Sequence, residues 1–305
     1  MRVAVTGANS NVGRNLLTHF AENGDVHVIA GVRSERAAAS LPDSPRITVR
    51  LVSYDDVAEL AKNIEGASCV VHVAGILIES KASSYERANV AATAAVVEAS
   101  QKAGVQHVVL ISVLGASVDS PNGFLRSRGE AERAVSESGI SSTIIRTPIL
   151  LGPGTAGAAA LLGTATKGTA RLLGGGRYVM RPLDVDDLSQ AILQICRTQP
   201  GGVSIHELVG PESIPFRELV VRVANMMGKP LSIGAIPVWI AKLGAAITSR
   251  LTGGGISPTV IDVITASEVV QKNADTDLGI SLTPLSATIE KILSEKEQET
   301  RENST

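Results

Sequence analysis

The chain has 305 residues, of which 44% are hydrophobic and 19% are charged, and its formal net charge is −2. This composition is typical of a globular protein and excludes a mini-protein that depends on disulfides. The lack of excess Lys and Arg argues against a polyanion-binding protein, and one Trp, three Tyr and three Phe are too few for base-stacking platforms. We therefore expect no nucleic-acid partner.

Runs of apolar, often β-branched residues alternate with helical patterns through the first half of the chain. The runs have little polar alternation, which is typical of strands buried on both faces of a parallel sheet. The predicted strands are 2–6, 26–32, 47–52, 68–74, 107–113 and 142–146, and the main helices between them are 12–22, 55–64, 83–103 and 123–138. This alternation predicts an α/β fold with a doubly wound parallel sheet, the Rossmann architecture.

The first predicted strand ends in the turn TGANSNVGR, residues 6–14, and a helix follows. Gly7 permits a tight turn, and Gly13 lets the helix pack closely on the strand, while free N–H groups at the helix start can bind a pyrophosphate. Ser10 stands where such a turn usually has glycine, so its side chain either crowds the phosphates or hydrogen-bonds to one. The dinucleotide contacts predicted here are Gly7, Asn9, Ser10, Asn11, Val12, Gly13 and Arg14.

The end of the second strand indicates which dinucleotide is bound. A site for NAD usually has a carboxylate here that binds the ribose 2′-hydroxyl. The sequence GVRSER instead places Arg33 at this position, with Arg36 three residues later and Arg14 in the glycine turn. Guanidinium groups suit a 2′-phosphate, so the pattern favours NADP(H). The alternative is that these arginines only solvate helix ends.

The strand–helix alternation ends near residue 150. Residues 152–176 are rich in Gly, Ala and Thr and predict a mobile loop with a weak helix. A helix at 184–197 and a strand at 204–209 are expected to return to the sheet, and residues 215–297 look mainly helical. We therefore expect three parts: a dinucleotide-binding core, a second part with the remaining sheet elements and a smaller helical substrate lobe that is partly interleaved with the core, and a disordered tail, at 1–150, 151–297 and 298–305.

Residues 236–251 predict an amphipathic helix. Apolar side chains recur there at spacings of three and four, and Pro237 suits a first-turn position. Gly253, Gly254 and Gly255 then end the helix. This helix either packs into the core of the smaller lobe, closes the substrate side of the site or docks a partner.

The sequence also indicates a compartment. Cys69 and Cys196 have no CxxC neighbour and lie in apolar surroundings, so we expect two buried, reduced thiols. The N-terminal apolar run is too short for a signal peptide, and Lys167, Arg171 and Lys242 interrupt the longest apolar stretches. We expect a cytoplasmic protein without a membrane span.

Several motifs resemble the extended and atypical short-chain dehydrogenases. They are TGANSNVG, HVAG at 72–75, the segment from 89 to 116 that ends near Ser112, RTPILLGPG at 146–154, and the later segments 181–192 and 206–220. Within that family the sequence most resembles the NADPH-binding accessory subunit of respiratory complex I and NmrA-like proteins. The resemblance implies further cofactor contacts at Ser53, Tyr54, Val73, Ala74, Gly75, Ser112, Arg128 and Pro148.

The sequence departs from this family at the catalytic pair Tyr-x-x-x-Lys. Phe124 stands at the Tyr position and Arg128 at the Lys position. Phenylalanine cannot exchange the proton that accompanies hydride transfer, whereas Arg128 can still bind the nicotinamide ribose. Tyr85, Tyr178 or a water molecule are the alternatives for a replacement acid.

Three other positions leave alternatives open. In the family Ser112 polarises the substrate carbonyl, but a hydroxyl at a strand end can equally satisfy backbone groups. Ser53 stands where the family usually has an Asp near the adenine, and Tyr54 is then a candidate for packing on that ring. His72 lies in an apolar strand, where a core histidine is the expected role.

No metal site is predicted, because the carboxylates at 184–187 suit a helix start. The sequence therefore predicts an NADP(H)-binding protein with weak or no conventional carbonyl reduction. The alternatives are an NADPH-dependent oxidoreductase for an apolar carbonyl or quinone-like substrate, or a factor in quinone biosynthesis or respiratory assembly. The corresponding partners are a dinucleotide, an apolar small molecule or quinone, and a respiratory-type protein assembly.

Overall fold

The computed structural model describes residues 1–302. In chain order the strands are β1 (Arg2–Thr6), β2 (His27–Val32), β3 (Ile47–Leu51), β4 (Cys69–His72), β5 (His107–Val113), β6 (Ser141–Thr147), β7 (Leu150–Leu151), β8 (Thr169–Leu173), β9 (Val179–Met180), β10 (Leu183–Asp184), β11 (Val203–Glu207), β12 (Ile214–Pro215) and β13 (Ser232–Ile236). The α-helices are α1 (Asn11–Glu22), α2 (Glu35–Ala38), α3 (Val57–Asn63), α4 (Ala92–Lys102), α5 (Gly123–Ser136), α6 (Ala156–Ala165), α7 (Val185–Thr198), α8 (Phe216–Met226), α9 (Val238–Thr252), α10 (Pro258–Ile264) and α11 (Leu285–Glu302).

These elements form two compact units, each drawn from several segments of the chain. The first unit comprises Met1–Thr147, Leu188–Leu208 and Asn273–Ile280. The second comprises Pro148–Asp187, Val209–Lys272 and the described residues from Ser281 onwards. Each unit has its own sheet pairings and its own apolar core.

The first unit is built on one parallel sheet. Within the described residues it has seven strands in the order β11-β6-β5-β4-β1-β2-β3, and neighbouring strands run parallel throughout. Strand β1 lies centrally, with β2 on one side and β4 on the other, so the direction of chain progression reverses at this point. Such a reversal opens a crevice at the carboxyl ends of the strands, where ligands of doubly wound folds bind. The predicted fold class is confirmed.

Apolar side chains cover both faces of this sheet. Ala4 and Val70 belong to a core cluster that includes buried side chains of α3, α4 and α5. The adjacent residues Val3 and Val71 point to the opposite face because side chains alternate along a strand, and they are fully buried too. Strands that are buried on both faces explain why the sequence shows continuous apolar runs rather than alternation.

The second unit has short strand pairs and a helical core. Strand β7 pairs with β10 and β8 with β13 in parallel, while β9 and β12 are antiparallel. A separate core cluster combines buried side chains of α6, α8 and α11. This cluster includes Leu161, Val220 and Ile289, each at most 2% exposed.

Two segments differ from the sequence predictions. Residues 152–176 are largely ordered into α6 and β8, because Thr155 caps the helix at Ala158 N and apolar side chains of α6 are buried. The tail predicted to be disordered is helical as far as Glu302, since Glu, Lys, Gln and Arg favour helix formation even without burial. Residues 303–305 of that tail lie outside the described residues.

The two cysteines are free, buried and in contact. The Sγ atoms of Cys69 and Cys196 are 3.4 Å apart in the first unit. Burial raises the pKa of the Cys196 thiol, and its neighbour Cys69 raises it further.

Within residues 1–302, no helix combines the length and apolar character that crossing a membrane requires.

Candidate functional site

The turn between β1 and α1 needs glycine at two positions. Gly7 has φ +77°, and a Cβ there would lie 2.7 Å from Ala74 N. A Cβ on Gly13 would lie 2.6 Å from Ala8 O, so a side chain would push helix α1 away from the turn. These contacts give both glycines of the motif a steric reason that holds with or without a ligand.

Ser10 and Arg14 shape this turn from within. The Ser10 hydroxyl accepts a hydrogen bond from Gly13 N at 3.0 Å and thereby caps α1. Arg14 donates to Asn9 O at 2.9 Å and to Asn11 Oδ1 at 2.8 Å. The structure thus gives Ser10 a capping role that neither sequence alternative included, and it commits Arg14 to the turn itself.

A cleft of about 460 Å³ opens beside the turn, at the reversal between β1 and β4. It is lined by residues that follow β1, β2, β3 and β4 and by the start of the helical segment after residue 82. The lining brings together nine of the predicted cofactor contacts: Gly7, Asn9, Ser10, Arg33, Ser53, Tyr54, Val73, Ala74 and Gly75. The strand ends and small side chains that line the cleft suit a dinucleotide.

Charged residues lie at the β2 end of the cleft. Arg33 is exposed and lines the cleft, whereas Arg36 is exposed outside it. Among the described cleft-lining residues the one carboxylate is Asp55, which pairs with Arg87 Nη2 at 2.9 Å. This end therefore offers a guanidinium group and no unpaired carboxylate to a ribose.

Tyr54 lines the cleft, and His72 lies buried behind it. His72 is fully buried, and its Nδ1 lies 2.6 Å from Thr6 Oγ1. Burial lowers the pKa of His72 to about 3, and the nearby Arg128 charge lowers it further, so the ring is neutral at physiological pH. Tyr54 meets this ring edge-on at 6.1 Å, and His72 accordingly fits a core role rather than a catalytic one.

Arg128 is a buried cation against the floor of the cleft. A Cβ on Gly75 would lie 2.9 Å from Arg128 Nη1, and Arg128 Nη2 donates to Ile111 O. Burial lowers the pKa of Arg128 to about 10, which leaves it charged at neutral pH. Within the described residues its Nε has no hydrogen-bond partner. A buried, unsatisfied N–H calls for an acceptor. The predicted contact of Arg128 with a ribose stays a prediction.

Phe124 lies one turn before Arg128 on the same face of α5 and is buried. Its ring centroid is 5.7 Å from that of Tyr85. The Tyr85 hydroxyl donates to Leu77 O at 2.8 Å, and burial with the nearby Glu79 charge raises the pKa of Tyr85 to about 12. Tyr178 stacks on Phe216 in the second unit, so Tyr85 is the candidate acid that lies next to Phe124.

Ser112 is tied into a charge network that the sequence did not reveal. Its Oγ donates to Glu132 Oε1 at 2.5 Å. Arg146 binds the same buried carboxylate from Nε at 3.1 Å and from Nη2 at 2.6 Å. Because the Ser112 hydroxyl donates its proton to Glu132, it is not free to polarise a substrate carbonyl. The structural alternative for Ser112 therefore fits better. The sequence signal for this network was Glu132, a carboxylate four residues after Arg128 on the same predicted helix.

Asn89 is a second residue that the sequence reading missed. It lies in the π-helical turn Glu86–Ala91, where the extra residue redirects the helix. Its buried amide accepts from Ile76 N at 2.8 Å and donates to Ser127 Oγ at 3.0 Å. It thereby holds the cleft-lining loop against α5. In the sequence, the signal for this role was an Asn directly before the apolar residues of the following helix.

Besides Arg14, Ser112 and Arg128, four predicted contacts lie outside the cleft lining. Asn11, Val12 and Gly13 form the first turn of α1, whose N–H groups follow the glycine turn. Pro148 is the first residue of the second unit. Its contact with a cofactor stays a prediction.

Comparisons with known proteins identify the family of the chain. A family model described as NAD(P)H-binding matches residues 7–172. A ceramide reductase of Caulobacter vibrioides is 26% identical over 273 residues, covering 88% of this chain and 84% of that protein. Subunit 9 of the NADH dehydrogenase [ubiquinone] 1 alpha subcomplex from Arabidopsis thaliana is 26% identical over 79% of this chain and 62% of its own length.

Among solved structures, an NADPH-dependent quinone oxidoreductase of Escherichia coli in complex with NADPH superposes with a TM-score of 0.73. It is 19% identical, and the match covers 95% of this chain and 99% of that one. At this identity the likeness concerns the fold. The family resemblance predicted from the motifs is confirmed.

Proposed function

Because the chain belongs to the NAD(P)H-binding family, we propose that it binds NADPH in preference to NADH and performs little conventional carbonyl reduction. The observation that carries the first part is Arg33 in a cleft whose one carboxylate is already paired. The observation that carries the second is Phe124 beside Arg128 on α5. The proposal is thus a cofactor-holding protein of the atypical short-chain dehydrogenase kind.

Distinct residues would hold each part of the cofactor. The N–H groups at the start of α1 would bind the pyrophosphate, and Arg33 would bind the 2′-phosphate. Ser53 and Tyr54 would flank the adenine, and the unpaired Nε of Arg128 would bind ribose oxygen. The bound reduced nicotinamide supplies a hydride.

A proton donor is what the site lacks. Phe124 has no exchangeable proton, and the Ser112 proton is committed to Glu132. The Tyr85 hydroxyl donates to Leu77 O, and its pKa of about 12 makes it a weak acid near neutral pH. A ketone or aldehyde that accepts a hydride becomes an alkoxide, which needs a proton at once. Conventional carbonyl reduction is therefore slow in this proposal.

A second candidate function is NADPH-dependent reduction of an apolar or quinone-like acceptor. It is favoured by the buried charge of Arg128. When such an acceptor receives a hydride it becomes a delocalised anion, which a nearby cation stabilises until water supplies the proton. Relatives named for ceramide and quinone substrates support an apolar acceptor. Tyr85 is the replacement acid in this alternative, if one is used.

A role in a respiratory assembly is a further alternative, and it rests on the likeness to the Arabidopsis complex I subunit. We place the protein in the cytoplasm. The free thiols of Cys69 and Cys196, which lie in contact without a bond, support a reducing compartment.

Two measurements test the primary proposal. Native mass spectrometry of the purified protein should show copurified dinucleotide with the mass of NADP(H). Calorimetric titration should then give tighter binding of NADPH than of NADH. Equal affinities would overturn the NADPH preference, and rapid turnover of simple aldehydes by the natural chain would overturn the second part.

A further inference from the structure

An ion pair lies in the lining of the cleft. Arg87 Nη2 is 2.9 Å from Asp55 Oδ2, and the two side chains are 67% and 74% exposed. Both residues line the cleft, although 32 positions separate them in the chain. An exposed pair of this kind contributes at most about 1 kcal/mol to stability. Its effect on a charged ligand in the cleft can therefore be larger than its effect on folding.

The backbone on either side of Asp55 is held at the edge of the cleft. Asp55 N donates to Ser53 Oγ at 3.2 Å. The next residue, Asp56, caps α3 by accepting a hydrogen bond from Glu59 N at 2.9 Å. Because Asp55 stands between these two contacts, its negative charge stays at the cleft.

Arg87 reaches Asp55 from the helical side of the cleft. It lies in the π-helical turn Glu86–Ala91, and its backbone N–H donates to Ser84 Oγ at 3.3 Å. Two residues later, the buried Asn89 joins this turn to the loop that follows β4. The guanidinium group is thus carried by a segment that is itself fixed in position.

The described lining residues include three charged side chains. The cations Arg33 and Arg87 and the carboxylate of Asp55 leave a net charge of +1, and this sum would be zero without Arg87. Arg33 and Asp55 follow neighbouring strands, since β2 and β3 pair Val32 with Leu51. An unpaired Asp55 would therefore repel a phosphate near Arg33 or pair with Arg33 in place of the phosphate.

We propose that Arg87 determines cofactor specificity by acting through Asp55. By neutralising this carboxylate, Arg87 leaves Arg33 free for the 2′-phosphate of NADPH, whose charge is roughly −1.5 to −2 at neutral pH. NADH has a hydroxyl at that position and is less sensitive to the pair. The inference rests on the proposed function, which assigns the 2′-phosphate to Arg33. In this role Arg87 is a positioning residue and does not touch the cofactor.

The ratio of NADPH affinity to NADH affinity in the full chain tests the proposal. Calorimetric titration at low salt should show that Arg87→Gln weakens NADPH binding about threefold and leaves NADH binding nearly unchanged. This is the effect of one unit charge on the order of 10 Å from a phosphate dianion in water. Arg87→Lys keeps the charge and should keep most of the ratio. In about 1 M salt the loss should largely disappear, whereas a merely structural role would weaken both cofactors at every salt concentration.

A double variant decides whether Arg87 acts through Asp55. Asp55→Asn with Arg87→Gln returns the net charge of the lining to +1 and should bind NADPH as the natural chain does. Arg133→Gln makes the same change of charge at an exposed position outside the lining, and this matched control should leave the ratio unchanged. A double variant as weak as Arg87→Gln alone would mean that Arg87 binds the phosphate itself. That result would overturn the proposal, as would an unchanged ratio in Arg87→Gln.

Failure of this inference and failure of the proposed function give different results. Equal affinities of the natural chain for NADPH and NADH would overturn the proposed preference. The role of Arg87 is decided by the change in the ratio between each variant and the natural chain. A natural chain that binds neither cofactor would overturn both proposals.

Discussion

At the turn end of the cleft, Gly7 and Gly13 occupy positions where any side chain would collide with backbone atoms. At the inner end, Phe124 and Arg128 stand where the short-chain dehydrogenase pattern has Tyr and Lys. The first end depends on backbone shape, which a few local residues determine. The second depends on the chemistry of two side chains of α5, and in our proposal that chemistry differs from the family pattern. A fold can therefore keep its cofactor cradle while its proton chemistry is replaced.

The largest effect on stability is expected from the buried ion pair of Glu132 with Arg146 near the inner end. Glu132→Gln should lower the free energy of unfolding by about 3 kcal/mol, because it leaves Arg146 without its main charged partner and replaces one of the two acceptor oxygens by an NH2 donor. Denaturant unfolding measures this change. The control Glu98→Gln breaks the exposed pair with Lys102 and should cost under about 1 kcal/mol. Similar values for both variants would contradict the structural role of Glu132.

Restoring the usual catalytic pair tests the other side of the comparison. Phe124→Tyr with Arg128→Lys should raise NADPH oxidation with a simple aldehyde by about 10²-fold, since it supplies the missing acid. Steady-state absorbance of NADPH provides the readout. Phe216→Tyr adds a hydroxyl beside Tyr178 in the second unit and should have no effect. An unchanged rate in the double variant would mean that the inner end differs by more than these two residues.

Arg33→Ala should weaken NADPH binding by about 1.5–3 kcal/mol and leave NADH binding nearly unchanged. The reason is that only NADPH carries the 2′-phosphate that we propose the guanidinium binds. Calorimetric titration with both cofactors decides this. Arg36→Ala removes a nearby exposed arginine outside the cleft lining and should match the natural chain. An equal loss for both cofactors would assign Arg33 to another part of the dinucleotide.

Near neutral pH the smallest effect on stability comes from two buried histidines, whose cost develops only in acid. Burial lowers the pKa of His72 to about 3 and that of His107 to about 4, from an ordinary value of 6.5. Both folded-state pKa values are depressed, so their contribution to stability is complete above pH 6.5. As pH falls below that value, the unfolded chain takes up protons first, and each histidine costs about 1.4 kcal/mol per pH unit down to its folded pKa.

Unfolding experiments at a series of pH values measure this slope. His107→Asn should flatten it, whereas His27→Asn, at an exposed position, should leave it as in the natural chain. A slope that is insensitive to His107 would show that carboxylates dominate the acid sensitivity.

The features that the sequence predicted correctly are local ones. Continuous apolar runs determine buried parallel strands, and the spacing of Gly7 and Gly13 after a strand determines the turn. The features that it missed depend on pairings across long distances in the chain. Neither the Ser112–Glu132–Arg146 network nor the contact of Cys69 with Cys196 follows from periodicity, because their partners come from different strands and helices.

Helix α9 shows the limit of pattern in another way. Its bounds could be predicted to within two residues, since Pro237 and Gly253 mark its ends. The exposure of its apolar stripe could not, because spacing defines a face but not what lies against it. The same applies to α6, whose Ala-rich sequence resembles a loop until Ala158 and Leu161 are seen to be buried.

The adjacent buried thiols of the first unit can report how often the surrounding structure opens locally. Cys69 lies on the central part of the sheet and Cys196 on α7, and both are fully buried. A thiol reagent can reach them only when that region opens, so the rate of labelling reports the free energy of local opening rather than thiol reactivity. A dinucleotide that binds the closed sheet would slow this labelling in proportion to its occupancy. The labelling rate of the two natural cysteines therefore measures cofactor binding, and no probe has to be introduced.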